Sequence, residues 1–87
     1  LENKVALVTG AAGGIGAGIA RCLAAEGASI GIVDLDGAGA ERTAASLGVP
    51  AMGVGADAAD EAAMTAATAA IVAKLGRLDI LVNNAGG

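Results

Sequence analysis

Eight consecutive residues, Thr9-Gly10-Ala11-Ala12-Gly13-Gly14-Ile15-Gly16, are the first place where residue type and spacing point to chemistry. Glycine weakens helices and strands by roughly 0.5–1 kcal/mol per residue. Here four glycines crowd the point where a short apolar run hands over to an alanine-rich segment. A helix N-terminus directs unpaired N–H groups and a partial positive charge outward. A phosphate can settle there when the preceding turn is tight and free of bulky side chains. Gly10 lets the chain leave the run before it, while Gly14 and Gly16 let backbone approach a pyrophosphate or let a helix pack closely on a sheet.

A second chemical feature is Asp34, at the end of another apolar run and about 20 residues beyond the glycines. A carboxylate at that point can accept hydrogen bonds from an adenosine ribose, and it repels a 2′-phosphate. No Arg or Lys stands at Ala12 or Leu35 to compensate. These residues point to NAD as the cofactor in preference to NADP. Asp36 nearby fits a helix-capping or loop role better.

The elements needed to position these groups can be read along the chain. Residues 4–9 read as a buried strand and 14–26 as a helix, with Ile15, Ile19 and Leu23 sharing one face and Gly27 suited to its stop. Residues 29–34 form a second strand. A weaker helix over 38–47 ends at Gly48 and Pro50. Residues 51–57 form a third strand loosened by two glycines. A long helix over 59–75 carries Asp60 and Glu61 in its first turn and Lys74 in its last, with Met64, Thr68, Ile71 and Leu75 facing inward. Residues 78–83 form a fourth strand. Strands alternating with helices predict an α/β fold with a parallel sheet and right-handed crossovers. In a doubly wound sheet the strand order is 3-2-1-4.

Composition narrows the partners. The chain has 87 residues, no Phe, Tyr or Trp, and is 55% hydrophobic. Val, Ile, Leu, Met and Ala must build the core, and a domain of this size is marginal. The net charge is −4 and no basic run appears, so nucleic acid is not an expected partner. No apolar stretch reaches the length of a membrane span, and residues 1–10 lack the features of a signal peptide. A single cysteine, Cys22, suits a reducing cytoplasm and reads as a small core residue.

With these residues in view, a family resemblance is specific. Residues 9–16 resemble the TGxxxGIG signature of the short-chain dehydrogenase/reductases, and Asn83-Asn84-Ala85-Gly86 resembles that family's NNAG motif. Asp57-Ala58 resembles its acidic dipeptide after the third strand. The three motifs occur in order and the resemblance spans the chain. It implies an NAD-dependent oxidoreductase moving a hydride between nicotinamide and an alcohol or ketone, built on a Rossmann-type βαβαβαβ sheet of four strands and three helices. Relative to the full family fold this is incomplete, so residues 1–87 are expected to be the N-terminal portion of a single NAD(P)-binding domain.

By the same resemblance, Gly10, Gly14, Ile15 and Gly16 line the pyrophosphate and adenosine side, with Ala12 and Gly13 in the same turn. Asp34 and Leu35 bracket the adenine ribose, and Asp57 and Ala58 border the adenine. Asn84, Ala85 and Gly86 lie near the cofactor riboses and help to hold the sheet centre. The family's catalytic serine and Tyr-x-x-x-Lys pair have no counterpart in these 87 residues, which contain neither Tyr nor His. Ser29, Ser46 and Thr43 lie in the cofactor half without a paired base. No catalytic residue is therefore assigned, and the chain by itself is expected to be inactive. A small-molecule substrate is expected only where the chain continues, and the full-length protein is expected to be a homo-oligomer. The alternatives are a non-catalytic half-domain binding an adenine dinucleotide, and a structural fragment whose glycines bind nothing.

Overall fold

The computed structural model describes residues 1–84. Its elements are β1 (Val5–Thr9), α1 (Gly14–Ala25), β2 (Ser29–Asp34), α2 (Gly37–Ala45), β3 (Ala51–Gly55), α3 (Glu61–Leu75) and β4 (Ile80–Val82). The four strands form one parallel sheet in the order β3-β2-β1-β4, as expected. Every residue of β1 is buried, as a central parallel strand covered on both faces must be.

Alternation along the strands divides the core in two. Ala6, Val8, Ile30 and Ile32 face α1 and α2, where Ala20, Ala24, Ala40 and Ala44 meet them. Leu7 and Val33 face α3, where they meet Ala67 and Ile71. Small residues set these spacings. A Cβ on Gly31 would stand 2.6 Å from Ile71 Cγ2, so β2 offers the Ile71 side chain a notch instead of a bump.

Several boundaries and faces differ from the sequence reading. The first strand begins at Val5, α2 runs one residue earlier and ends two earlier, and α3 starts at Glu61 with Asp60 as its N-cap. The third strand stops at Gly55, and the Ala56 N–H makes the last ladder bond to β2, donating to Asp34 O at 3.0 Å. The fourth strand shrinks to three residues, paired with Ala6–Val8 of β1. It forms one edge of the sheet, and Leu81 is exposed there.

The inner face of α1 is also rotated from expectation. Gly16, Ala17, Ala20 and Ala24 are its buried residues. Ile19 and Leu23 pack at the core's margin, and Ile15 is 78% exposed. Helix α1 approaches the sheet closely enough that only Gly and Ala fit its centre line, so the larger residues lie beside it. Cys22 is exposed on that helix and not in the core. On α3, Met64, Ile71 and Leu75 do face inward, with Ala67 buried between them and Thr68 half-buried. No helix among the described residues is long and apolar enough to cross a membrane.

Candidate functional site

All four strands point their carboxyl ends the same way, and a cleft of about 460 Å³ opens there. Its walls are Gly10 after β1, Val33, Asp34 and Leu35 at the end of β2, Ala56–Ala59 after β3, and Asn83 after β4. Strands β2 and β4 flank β1 on opposite sides, so the cleft lies at the switch in strand order. Ligands of open parallel sheets bind in such crevices, and the volume falls within the range of small-molecule sites.

The glycine turn is shaped residue by residue. Gly10 has φ 68° while its N–H donates to Val33 O at 2.8 Å, a left-handed exit from β1 that favours glycine. Gly13 is the extended N-cap of α1, and Gly14 opens that helix at φ 61°. A Cβ added at Gly14 would meet no other atom, so its outer side faces open space. Gly16 differs: a Cβ there would overlap Gly10 O and lie 2.8 Å from Asn84 Nδ2. Thus Gly16 serves close packing of helix on turn.

The three helix starts are unequal. Asp36 caps α2 by accepting from Gly39 N at 2.9 Å, and Asp60 caps α3 by accepting from Ala63 N at 3.1 Å. Helix α1 has neither a side-chain cap nor an acidic residue in its first turn. Neither its cap nor its first turn supplies a carboxylate to its positive end.

Asp34 stands half-buried in the cleft wall. Its Oδ2 accepts from Ala12 N at 3.0 Å and its Oδ1 from Asp36 N at 2.9 Å. A carboxylate has about four acceptor positions, so with one bond to each oxygen Asp34 retains acceptor capacity. Leu35 is 77% exposed beside it. Asp57 accepts from Ala59 N at 2.9 Å, which shapes the turn that carries Ala58 into the lining.

Asn83 lines the cleft after β4, and Asn84 follows it. Thr9, fully buried, donates from Oγ1 to Asn83 Oδ1 at 3.2 Å and accepts from Asn84 N at 2.9 Å. Asn84 Nδ2 donates to Gly10 O at 3.3 Å. These bonds tie the end of β4 to the start of the glycine turn, a sheet-holding role.

Of the residues singled out from the sequence, Gly10, Asp34, Leu35, Asp57 and Ala58 line one cleft. Ala12, Gly13, Gly14 and Gly16 form the adjoining turn, Asn84 braces it, and Ile15 is exposed at its helix. Ala85 and Gly86 lie outside the described residues. Val33, Ala56, Ala59 and Asn83 also line the cleft and were not singled out as site residues. For Asn83 the signal was its place in the NNAG motif; the other three are apolar residues flanking Asp34 and Asp57, which carry no signal of their own.

Comparison with known proteins agrees with this architecture. The family model described as short chain dehydrogenase matches residues 4–87. The chain is 54% identical to D-threitol dehydrogenase of Mycolicibacterium smegmatis, over 99% of this chain and 34% of that protein. It is 51% identical to galactitol 2-dehydrogenase of Agrobacterium fabrum, over 98% of this chain and 33% of that one. Among solved structures, 3-ketoacyl-(acyl-carrier-protein) reductase from Brucella melitensis, complexed with NADH, superposes with a TM-score of 0.86 at 50% identity. That match covers 92% of this chain and 33% of the reductase. The chain therefore spans about a third of the length of the curated relatives it matches. With its parallel 3-2-1-4 sheet, its glycine turn and the family match over residues 4–87, the chain belongs to the short-chain dehydrogenase family.

Proposed function

We propose that this chain is the dinucleotide-binding part of an oxidoreductase that transfers hydride between a nicotinamide cofactor and an alcohol or ketone. The observation that carries this reading is the pairing of α1's uncapped N-terminus with the Asp34 carboxylate at one cleft. One feature suits a pyrophosphate and the other a ribose diol, and the Ala12 N–H joins them. The space outside Gly14 suits a phosphate. Leu35 and Ala58 offer apolar surface to an adenine. The NADH in the Brucella melitensis reductase supports the same assignment.

Each residue has a limited task. The α1 N–H groups bind and orient the pyrophosphate, Asp34 holds the adenosine ribose, and Asn84 with Thr9 keeps the turn and β4 in register. The bound cofactor supplies the hydride chemistry. A 2′-phosphate would meet the Asp34 carboxylate, which supports NAD over NADP. The names of the two polyol dehydrogenase relatives support an alcohol or ketone as the substrate class of the whole enzyme.

The test is a titration of NADH with the protein, followed by the cofactor's own emission, since the chain has no Trp or Tyr to interfere. A saturable change that NAD reverses more effectively than NADP is expected. No change at millimolar protein would contradict the reading, and equal competition by NADP would contradict the role given to Asp34.

A further inference from the structure

Glycine turns are mobile, and a phosphate cradle is useful only when its N–H groups already point the right way. The residues that hold this turn are therefore part of the binding machinery. Thr43 of α2 is 7% exposed, and its Oγ1 donates to Ala12 O at 3.1 Å. A threonine within a helix commonly bonds back to a carbonyl of its own preceding turn. Thr65 of α3 does so, donating to Glu61 O at 2.9 Å. Thr43 instead reaches a carbonyl 31 residues away, in the turn itself.

One turn of helix earlier, Gly39 prepares this contact. A Cβ on Gly39 would stand 2.9 Å from the Ala12 Cβ, so its absence seats α2 against the turn. The Ala12 N–H is held from the other side by Asp34 Oδ2 at 3.0 Å. Two successive peptide planes, 11–12 and 12–13, are thus fixed by two side chains from different elements. The peptides are trans, so fixing Ala12 O toward α2 turns the Gly13 N–H the opposite way. Gly13 is the N-cap of α1.

We propose that Thr43 is a positioning residue for dinucleotide binding: through Ala12 O it locks the 12–13 peptide and pre-organises the glycine turn for the pyrophosphate. The inference rests on the dinucleotide reading given above. Removing the hydroxyl leaves a carbonyl without its partner and moves the ordering of the turn into the binding step.

The experiment compares the protein with its Thr43→Val and Thr43→Ser variants, using NAD, ADP-ribose and adenosine as ligands. Thr43→Val is expected to weaken NAD and ADP-ribose about tenfold. Adenosine, which has no pyrophosphate, should compete unchanged, and Thr43→Ser should bind NAD like the unaltered protein. Hydrogen exchange at the Ala12 amide, which donates to Asp34 Oδ2, should accelerate in the valine variant and not in the serine variant. Unchanged NAD affinity in Thr43→Val, equal losses in both variants, or an equal loss for adenosine would each overturn the proposal. Failure of the unaltered protein to bind any of the three would instead overturn the dinucleotide reading, and this inference with it.

Discussion

Two aspartates at opposite ends of the sheet make similar bonds and serve different ends. Asp79 precedes β4 at the amino end. Its Oδ2 accepts from Val5 N at 2.9 Å, and its Oδ1 accepts from Arg77 Nε and Nη2 at 3.0 and 2.7 Å. Asp34 ends β2 at the carboxyl end and accepts from two backbone N–H groups. Both carboxylates join neighbouring segments of chain. Asp79 has a guanidinium of its own, whereas Asp34 has backbone donors and an open cleft in front of it. The contrast separates a carboxylate satisfied within the protein from one that still has acceptor capacity facing a ligand-sized space. It predicts that changes at carboxyl-end residues lining the cleft alter binding first, and that changes away from the cleft alter stability alone.

The largest effect is expected from Gly14→Val. A β-branched residue at φ 61° is strained by about 1–3 kcal/mol, and its side chain would occupy the space outside the turn. NAD affinity should fall at least about a hundredfold in calorimetry; an unchanged affinity would reduce the glycine turn to a packing device. Asp34→Ala comes next. NAD binding should weaken about tenfold, and the preference for NAD over NADP should relax. A preference that survives intact would remove Asp34 from the ribose.

At the other end, Asp79→Asn should lower the melting temperature while leaving the NAD dissociation constant within about twofold. The Arg77 guanidinium, and then the Val5 N–H, hold the Asp79 carboxyl below its usual value near 3.8. A folded-state pKa below the unfolded one gives stability that is present above the unfolded value and lost as the pH falls through the lowered one. Acid unfolding of the asparagine variant should therefore be less steep below about pH 4. Coincident acid profiles would show that the ion pair contributes nothing. The smallest effect at the cleft is expected from Asp60→Ala, which removes the α3 cap at a cost of about 1 kcal/mol and should leave NAD binding untouched.

The order of elements was legible because its signals are local. Strands and helices alternate, Gly27 and Gly76 end helices in left-handed conformations, and Asp36 stands as a cap. The glycine turn and Asp34 were legible because their residue types are costly without a reason. What escaped depended on three-dimensional spacing. Alanine counts little in a hydrophobic pattern, so in the sequence Ile15, Ile19 and Leu23 outweigh the Ala17–Ala20–Ala24 line that the fold buries. The exposure of Cys22 follows from the same rotation of α1. Thr43 carried no visible signal, since its acceptor, Ala12 O, belongs to a turn distant in sequence. Asp79 was likewise silent until β4 took its place beside β1.

The most direct test of the account is to map backbone amide shifts in an isotope-labelled protein as NAD is added. Perturbations are expected at Gly10–Gly16, Asp34–Leu35, Ala56–Ala59 and Asn83–Asn84, with Val5 and Arg77–Asp79 unmoved. Perturbations centred on the amino end of the sheet, or none at saturating NAD, would contradict it.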